Sequence, residues 1–284
     1  MIPITAIFYL EGMKLSFTTM ATPGIGGVEA VRSARRYGYH GVDLRVSDMQ
    51  GELTLESPPA LIREIRDALA TEGIASPSLL CYNETGNAED PASWERMETS
   101  LLNLLELAEK VGSESIRMFA GHIHQTAHID LTLKRIAEST RNALERNGGP
   151  VRIVIQNHAG HCSVTECSEI IRQAASPRLG LVFSPDHCTM VNEDLAAAYA
   201  IAKQSATQLY IADAIPVQTG DKKDFRSVLP GKGVVPLREA YQALGGHSFP
   251  HWISFKWEKI WNPELEDYTI ALPFFVQYAN STLA

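Results

Sequence analysis

The chain has 284 residues and a formal net charge of −8, a length that suits one large α/β barrel or two smaller domains. Its hydrophobic content of 45% and charged content of 20% are typical of a globular protein. The negative charge argues against a nucleic-acid partner, since a non-specific nucleic-acid binder needs a basic face. Four cysteines are too few for a disulfide scaffold of this size, so we expect reduced thiols and a cytoplasmic location.

The first 13 residues are apolar but form only a short segment. They lack the basic start of a secretory signal and the ~20 consecutive apolar residues of a membrane span. We therefore expect residues 1–13 to be an N-terminal extension, residues 14–284 to form a single domain, and no membrane to be involved.

Short apolar or β-branched runs alternate with amphipathic segments along the chain. Eight strands are predicted, at Lys14–Met20, Gly41–Val46, Ile74–Cys81, Ser115–Ala120, Val151–Asn157, Leu179–Ser184, Gln208–Asp213 and Trp252–Trp257. Helices are predicted between them, at Gly27–Tyr37, Pro59–Thr71, Pro91–Val111, Asp130–Arg146, Thr165–Ala175, Asp194–Gln204 and Pro236–Leu244, with a last one within Pro263–Asn280. Eight strand–helix units in about 250 residues predict a (β/α)₈ TIM barrel. An open doubly wound sheet is the alternative, but no G-x-G-x-x-G pattern follows the first strand.

In such a barrel, functional residues lie at the carboxyl ends of the strands. The predicted strand ends carry polar and charged side chains, namely Arg45, Arg117, Gln156, His158, Ser184, His187, Tyr210, Asp213, Lys256 and Glu258. Six of the nine histidines follow strands four to six, at positions His122, His124, His128, His158, His161 and His187. This clustering favours a functional site at that end of the barrel.

The order of the segments "GVDLRV", "IRMFAG", "IQNH", "SPDH" and "LPGKGVVPL" resembles the xylose-isomerase-like sugar-phosphate isomerases and epimerases, from about Lys14 to Phe274. The resemblance implies a TIM barrel with one divalent metal at its mouth. The family's Glu, Asp, His and Glu ligands would fall on Gln156, Ser184, Tyr210 and Lys256, so all four positions depart from the pattern. The Asn-His pair after strand five and the histidine of strand six are kept.

These departures predict that the family's metal site is lost and that no cofactor is bound. A hard divalent cation prefers carboxylate oxygens and imidazole, whereas Lys256 would repel it and could replace it as the local cation. The two glutamate positions are also the family's proton-shuttling bases, and Gln156 cannot accept a proton. Lys256 could act as a base, or form a Schiff base, only if burial depressed its pKa.

We therefore expect an isomerase or epimerase, or a related lyase, that acts on a small, sugar-like molecule, a polyhydroxylated or keto substrate, by proton transfer next to a carbonyl. The expected catalytic residues are Lys256, His187 and Glu258. The expected substrate-binding residues are Gln156, His158, Ser184, Tyr210, Arg117 and Arg45. Arg117 would anchor an anionic or carbonyl oxygen; Arg45 could do the same or pair with Asp43 or Asp48. Trp261 is a candidate for the wall of the substrate site.

Several alternatives stay open. One is a non-catalytic member of the same fold that binds a sugar or regulates a pathway. Another is a metal-dependent enzyme with a shifted ligand set of Asp186, His187, Asp213 and Glu258. A zinc site could instead use His158, His161, Cys162 and Cys167, with Cys188 nearby, although buried cysteines packing as small hydrophobes are favoured. A repair nuclease resembling endonuclease IV is disfavoured because the chain is acidic and lacks clustered carboxylates. The oligomeric state is open, with a homodimer as one option.

Overall fold

The computed structural model describes residues 13–49, 51–86, 90–125, 128–219 and 222–283. The predicted extension lies outside the described residues, apart from Met13. That residue is only 5% exposed and leads into the first strand.

Eight parallel strands close into a barrel, which confirms the predicted (β/α)₈ TIM barrel. The barrel strands are β1 (Lys14–Thr18), β2 (Gly41–Arg45), β3 (Leu79–Leu80), β4 (Ser115–Met118), β5 (Arg152–Gln156), β6 (Leu179–Phe183), β7 (Ala206–Ile211) and β10 (Trp252–Phe255). The barrel closes where β1 pairs with β10. The third strand is much shorter than the predicted Ile74–Cys81, because Pro77 has no backbone N–H to donate to a neighbouring strand.

Helices surround the barrel in the predicted order. They are α1 (Gly26–Tyr37), α2 (Pro59–Glu72), α3 (Ala92–Val111), α4 (Ile129–Asn147), α5 (Val164–Ala174), α6 (Pro185–Met190), α7 (Leu195–Ser205), α8 (Leu237–Ala243) and α9 (Tyr268–Tyr278). Among the α-helices of the described residues, α6 alone is absent from the prediction. It begins directly after β6 with Pro185 in its first turn, where proline is favoured because that N–H has no helical acceptor. Within the described ranges, no helix has the length and apolar character needed to cross a membrane.

A β-hairpin outside the barrel is the second element that the sequence did not predict. It consists of β8 (Asp213–Thr219) and β9 (Lys222–Val228), which pair antiparallel. Strand β7 ends at Ile211, so Asp213 starts the hairpin instead of ending the barrel strand.

The strand side chains divide into two sets because they alternate in direction. Outward-facing residues such as Phe17, Ile153 and Phe255 join the large core beneath the helices. Inside the barrel, Ser16, Asp43, Gln208 and Ser254 form a buried polar network at the middle of their strands. Nearer the carboxyl ends lies a small apolar layer made of Met20, Leu80, Val154, Val182 and Tyr210. The candidate site is built above this layer.

Candidate active site

Lys256, Asp186 and His187 form a buried cluster at the carboxyl end of the barrel, which we call the lysine cluster. Lys256 directly follows β10, and the other two residues lie on α6. The Lys256 Nζ atom lies 2.7 Å from Asp186 Oδ2 and 2.9 Å from His187 Nε2. The Glu258 Oε1 atom lies 3.9 Å from the same nitrogen, and the Glu258 side chain is 31% exposed. The other two catalytic residues expected from the sequence, His187 and Glu258, therefore both lie beside the Lys256 ammonium group.

Lys256 is held as an ammonium group. Burial alone would lower its pKa, but the charges of Asp186 and Glu258 outweigh burial, so the Lys256 pKa is raised. The condition for Lys256 to act as a base or Schiff-base nucleophile, a depressed pKa, is therefore not met. Its role as the local cation is the one that fits the geometry.

His187 is a neutral imidazole with a free donor. Burial and then the charge of Lys256 lower the His187 pKa well below its ordinary value. Because the Lys256 ammonium donates to Nε2, the ring proton is placed on Nδ1. Among the described residues, neither this Nδ1 atom nor the Asp186 Oδ1 atom has a hydrogen-bond partner. The lysine cluster thus presents one buried donor and one buried acceptor for which a ligand is the expected partner.

Asn157 joins the ends of β5 and β6 and so orients the site. Its side-chain oxygen accepts from the Ser184 backbone N–H at 2.8 Å, and its side-chain nitrogen donates to the Ser184 carbonyl at 3.0 Å. The neighbouring Gln156 donates to the Ser184 hydroxyl at 3.0 Å. The Asn157 side chain therefore bonds the Ser184 backbone as a neighbouring strand would, and this positions the start of α6. The sequence did not reveal this role.

Arg117 is a buried guanidinium with unused donors. It is 1% exposed, and its Nε and Nη1 atoms have no hydrogen-bond partner in the described part of the chain. Its Cζ atom lies 4.1 Å from the Phe119 ring centre and 5.3 Å from the Tyr82 ring centre. Burying a charged donor without a partner is unfavourable, so this arrangement fits the expected role as an anchor for an anionic or carbonyl oxygen.

Tyr210 belongs to the floor of the site. Its ring lies in the apolar layer of the barrel, and burial raises its pKa far above the usual range, so the phenol stays neutral. Its hydroxyl lacks a hydrogen-bond partner within the ranges described above. Tyr210 is therefore not an anionic ligand.

The divalent metal that the sequence resemblance implies does not fit these residues. A cation would meet the Lys256 ammonium, the neutral Tyr210 phenol and the Ser184 hydroxyl. It would also meet the side-chain amide of Gln156, which donates a hydrogen bond to the Ser184 hydroxyl. Hard divalent cations need anionic oxygens or imidazole instead. Within the described residues, no group of three or more His, Cys, Asp and Glu side chains is arranged to hold a metal ion.

The shifted ligand set is not assembled either, because Asp213 has a structural role. Its carboxylate accepts the backbone N–H groups of Gly231, Gly233, Val235 and Ala214, at distances between 2.8 and 3.1 Å. A Cβ atom on Gly233 would lie 2.1 Å from the Asp213 Oδ1 atom. The "LPGKGVVPL" motif is thus explained by the tight loop that this carboxylate organises.

The cysteines that suggested a zinc site are buried and unpaired thiols. Burial raises the pKa of both Cys167 and Cys188. Neutral thiols of this kind pack as small hydrophobes, whereas zinc binds the thiolate.

Four imidazoles form a row from the surface to the lysine cluster. Ring centres are 4.1 Å apart for His122 and His161, 4.9 Å for His161 and His158, and 3.8 Å for His158 and His187. Burial and then the charge of Lys256 lower the pKa of His158 to about 3. His124 lies apart from this row, with its Nε2 atom 3.3 Å from the Glu166 carboxylate.

Arg45 pairs with a residue that the sequence did not suggest. Its Nη1 atom lies 2.9 Å from Glu52 Oε1, so neither Asp43 nor Asp48 is its partner. Its Nε atom donates to the Tyr82 hydroxyl at 3.2 Å, and its Cζ atom lies 4.7 Å from the Trp261 ring centre. Arg45 therefore belongs to the rim of the barrel, beside the site.

Comparison with known proteins agrees with this architecture. The family model described as "Xylose isomerase-like TIM barrel" matches residues 31–276. No curated protein sequence matches the chain.

Three solved structures illustrate the similarity of fold. A probable 3-DHS dehydratase, AsbF, from Bacillus anthracis has a TM-score of 0.75 and 15% identity, over 95% of this chain and 100% of that one. A D-psicose 3-epimerase has a TM-score of 0.75 and 12% identity, over 96% and 100% of the two chains. The 3-keto-D-glucoside 4-epimerase YcjR from E. coli has a TM-score of 0.65 and 14% identity, over 86% and 91%.

Proposed function

Because the chain belongs to the xylose isomerase-like TIM barrel family, we propose that it is an isomerase or epimerase, or a related lyase, that transfers a proton next to the carbonyl of a small polyhydroxylated substrate without a divalent metal. The observation that carries this proposal is the lysine cluster, where a buried ammonium occupies the mouth of the barrel beside Asp186 and His187.

Lys256 and Arg117 supply the positive charge that the reaction needs. When a proton leaves the carbon next to a carbonyl, the C–H electron pair forms a carbon–carbon double bond and the carbonyl oxygen becomes an enolate. Fixed cations in a buried site stabilise such an oxyanion more strongly than water does. The unused Nε and Nη1 donors of Arg117 and the raised Lys256 pKa suit both groups for this task.

Glu258 is the base in this scheme. Its carboxylate is partly exposed at the rim, beside the ammonium of Lys256. It takes the proton from carbon. After the enolate has turned over in the site, Glu258 returns the proton to the opposite face; alternatively, a proton moves between the two oxygens of the enediol and Glu258 protonates the neighbouring carbon. The first outcome is epimerisation and the second isomerisation. In a lyase reaction, the hydroxyl on the next carbon would take the proton held by Glu258 and leave as water, while the enolate electrons form the new carbon–carbon double bond and restore the carbonyl.

The remaining side chains bind hydroxyl groups of the substrate. Asp186 Oδ1 can accept a hydroxyl hydrogen bond, and His187 Nδ1 can donate one, since both atoms lack a partner among the described residues. Gln156, Ser184 and His158 complete the polar surface around them. The names of the similar solved structures, which include two epimerases of sugars, support this reaction class.

Hydrogen exchange with solvent tests the proposal. The metal-free protein is incubated in D2O with a panel of ketoses and 3-keto sugars, and loss of the C–H signal next to the carbonyl is followed by NMR. We expect exchange that survives chelation by EDTA and falls at least about a hundredfold in Lys256→Met and in Glu258→Gln, a size typical for loss of electrostatic or acid–base catalysis. Lys203→Met and Glu264→Gln are the matched controls, because both residues are exposed.

Two results would overturn the proposal. If exchange required added Mn²⁺ or Mg²⁺, the metal-independent mechanism would be wrong. If several substrates bound but none exchanged faster with the protein than without it, the chain would be a non-catalytic sugar-binding member of the fold.

A further inference from the structure

A groove of about 570 Å³ runs beside the barrel mouth. We call it the rim groove; its lining includes Arg45, Ser47, Asp48, Thr54, Tyr82 and Trp261. This volume lies in the range of small-molecule sites. The groove and the active site share Tyr82, because the ring of that residue lies 5.3 Å from Cζ of both Arg45 and Arg117. Tyr82 therefore borders both Arg117 and the rim groove.

Two large aromatic rings are displayed in the rim groove. Tyr82 is 48% exposed and Trp261 is 53% exposed, although most large apolar side chains of this protein are buried. The Arg45 guanidinium lies over the Trp261 ring, with Cζ 4.7 Å from the ring centre, and is itself held by Glu52 and by the Tyr82 hydroxyl. Rings that are held in place yet exposed offer flat apolar surfaces on which another ring can lie at little entropic expense.

The polar groups of the rim groove favour an uncharged, hydroxylated ligand. The charge of Arg45 is already balanced by Glu52, while Asp48 and Glu56 add two further carboxylates to the lining. An anionic substituent would be repelled by these carboxylates. These carboxylates are instead good hydrogen-bond partners for sugar hydroxyls, and so are the side-chain hydroxyls of Thr54 and Ser100 in the same lining.

We infer that the rim groove binds a second, uncharged sugar ring, so that the natural substrate is a disaccharide and not a free monosaccharide. This inference rests on the proposed function for the ring that enters the barrel mouth. The second ring lies against Trp261 and Tyr82, and its hydroxyls face Asp48, Glu56 and Thr54.

Binding measurements on the full chain test this inference. Calorimetry compares maltose, cellobiose, lactose and sucrose with glucose, galactose and fructose, and phenyl β-D-glucoside serves as an aryl comparison. We expect at least one disaccharide to bind about tenfold or more tightly than its component monosaccharides. Trp261→Ala should remove that advantage and leave monosaccharide affinity, which depends on the lysine cluster and Arg117, unchanged. Ile270→Ala is the control. The Ile270 side chain is exposed to a similar extent, 55%, but does not line the rim groove.

The outcomes separate this inference from the proposed function. The rim groove assignment is overturned if no disaccharide binds more tightly than its monosaccharides, if Trp261→Ala weakens both classes equally, or if the aryl glucoside binds more tightly than every disaccharide. Solvent exchange on a monosaccharide without a preference for disaccharides would leave the proposed function standing and remove only the rim groove assignment. A preference for disaccharides without solvent exchange on any substrate would leave the rim groove assignment standing and remove the proposed catalytic function.

Discussion

The Nζ atom of Lys256 lies 2.7 Å from Asp186 Oδ2, and the two side chains are 3% and 2% exposed. An ion pair this deeply buried depends on both partners, since either charge alone would be left in a medium of low polarity. The pair also links β10 to α6 across the mouth of the barrel. It is therefore a structural contact as well as the proposed source of positive charge.

We expect Lys256→Met to destabilise the fold by about 3–5 kcal/mol, because it leaves the Asp186 carboxylate buried without its partner. The double variant Asp186→Asn/Lys256→Met should recover most of this loss. Urea unfolding followed by circular dichroism measures both, and Lys203→Met should stay within about 0.5 kcal/mol of the wild type. Equal losses in the single and double variants would show that the pair does not stabilise the fold.

Arg117→Met should leave stability unchanged or raised, because it removes a buried charge whose Nε and Nη1 donors have no partner among the described residues. The contrast is Arg178→Met: the Arg178 guanidinium donates to the carbonyls of Val151 and Leu144. That variant should lose about 1–3 kcal/mol. Thermal unfolding compares the two, and solvent exchange should fall only in Arg117→Met. A large loss of stability in Arg117→Met would mark Arg117 as a structural residue.

Asp43 should make stability depend on pH. Burial raises the pKa of this carboxyl from 3.8 to about 7. Hydrogen bonds from Ser16 and Gln208 lower the pKa, but their effect is smaller than that of burial. Since the folded-state pKa is the higher one, the contribution to stability is complete below about pH 4 and is lost as the pH rises to about 7. The loss is on the order of 4 kcal/mol.

Urea unfolding at pH 4 to 8 measures this effect as the difference between the wild type and Asp43→Asn. The stability of the variant relative to the wild type should rise across that interval and then level off. A constant difference would mean that Asp43 titrates alike in the folded and unfolded chains.

The rate of the proposed reaction should show no histidine titration between pH 5 and 8. The pKa of His158 is lowered to about 3 and that of His187 is well below its ordinary value, so both rings stay neutral in this range. Lys256, whose pKa is raised, stays charged there. The pH profile of solvent exchange and ¹⁵N NMR of the imidazoles check this. A rate step near pH 6.5 that disappears in His187→Gln would contradict it.

Gly233→Ala should destabilise the loop that follows the hairpin, because the new Cβ would lie 2.1 Å from Asp213 Oδ1 and 2.5 Å from the Ala214 carbonyl oxygen. Asp213→Ala should destabilise the same loop by leaving backbone N–H groups without their acceptor. Hydrogen exchange of the amides of Gly231 and Val235 measures the effect. Gly24→Ala is the comparison: its φ is +82°, so alanine is strained there too, but nothing lies within 4 Å of the added Cβ. Equal losses in the two glycine variants would show that the contact with Asp213 is unimportant.

The alternation of apolar runs and amphipathic segments was enough to predict the barrel and eight of the nine α-helices in the described part of the chain. Each barrel strand buries both faces and is therefore a continuous apolar run, whereas each helix buries one face and is therefore amphipathic. Both patterns involve residues close together in the sequence, so they can be recognised without the structure. Because all carboxyl ends of a parallel barrel lie on one side, the strand order also predicted that Lys256, His187 and Glu258 would come together. In the structure, the Lys256 Nζ atom lies 3.9 Å from Glu258 Oε1 and 2.9 Å from His187 Nε2.

Only the tertiary structure decided what these residues do to one another. It showed that Asp186 holds Lys256 as an ammonium, that Asp213 serves a backbone loop, and that Glu52 is the partner of Arg45. These outcomes depend on α6 and on loops whose geometry is set by contacts between distant segments. Burial and the positions of neighbouring charges determine a pKa, and neither follows from the spacing of residues along the chain.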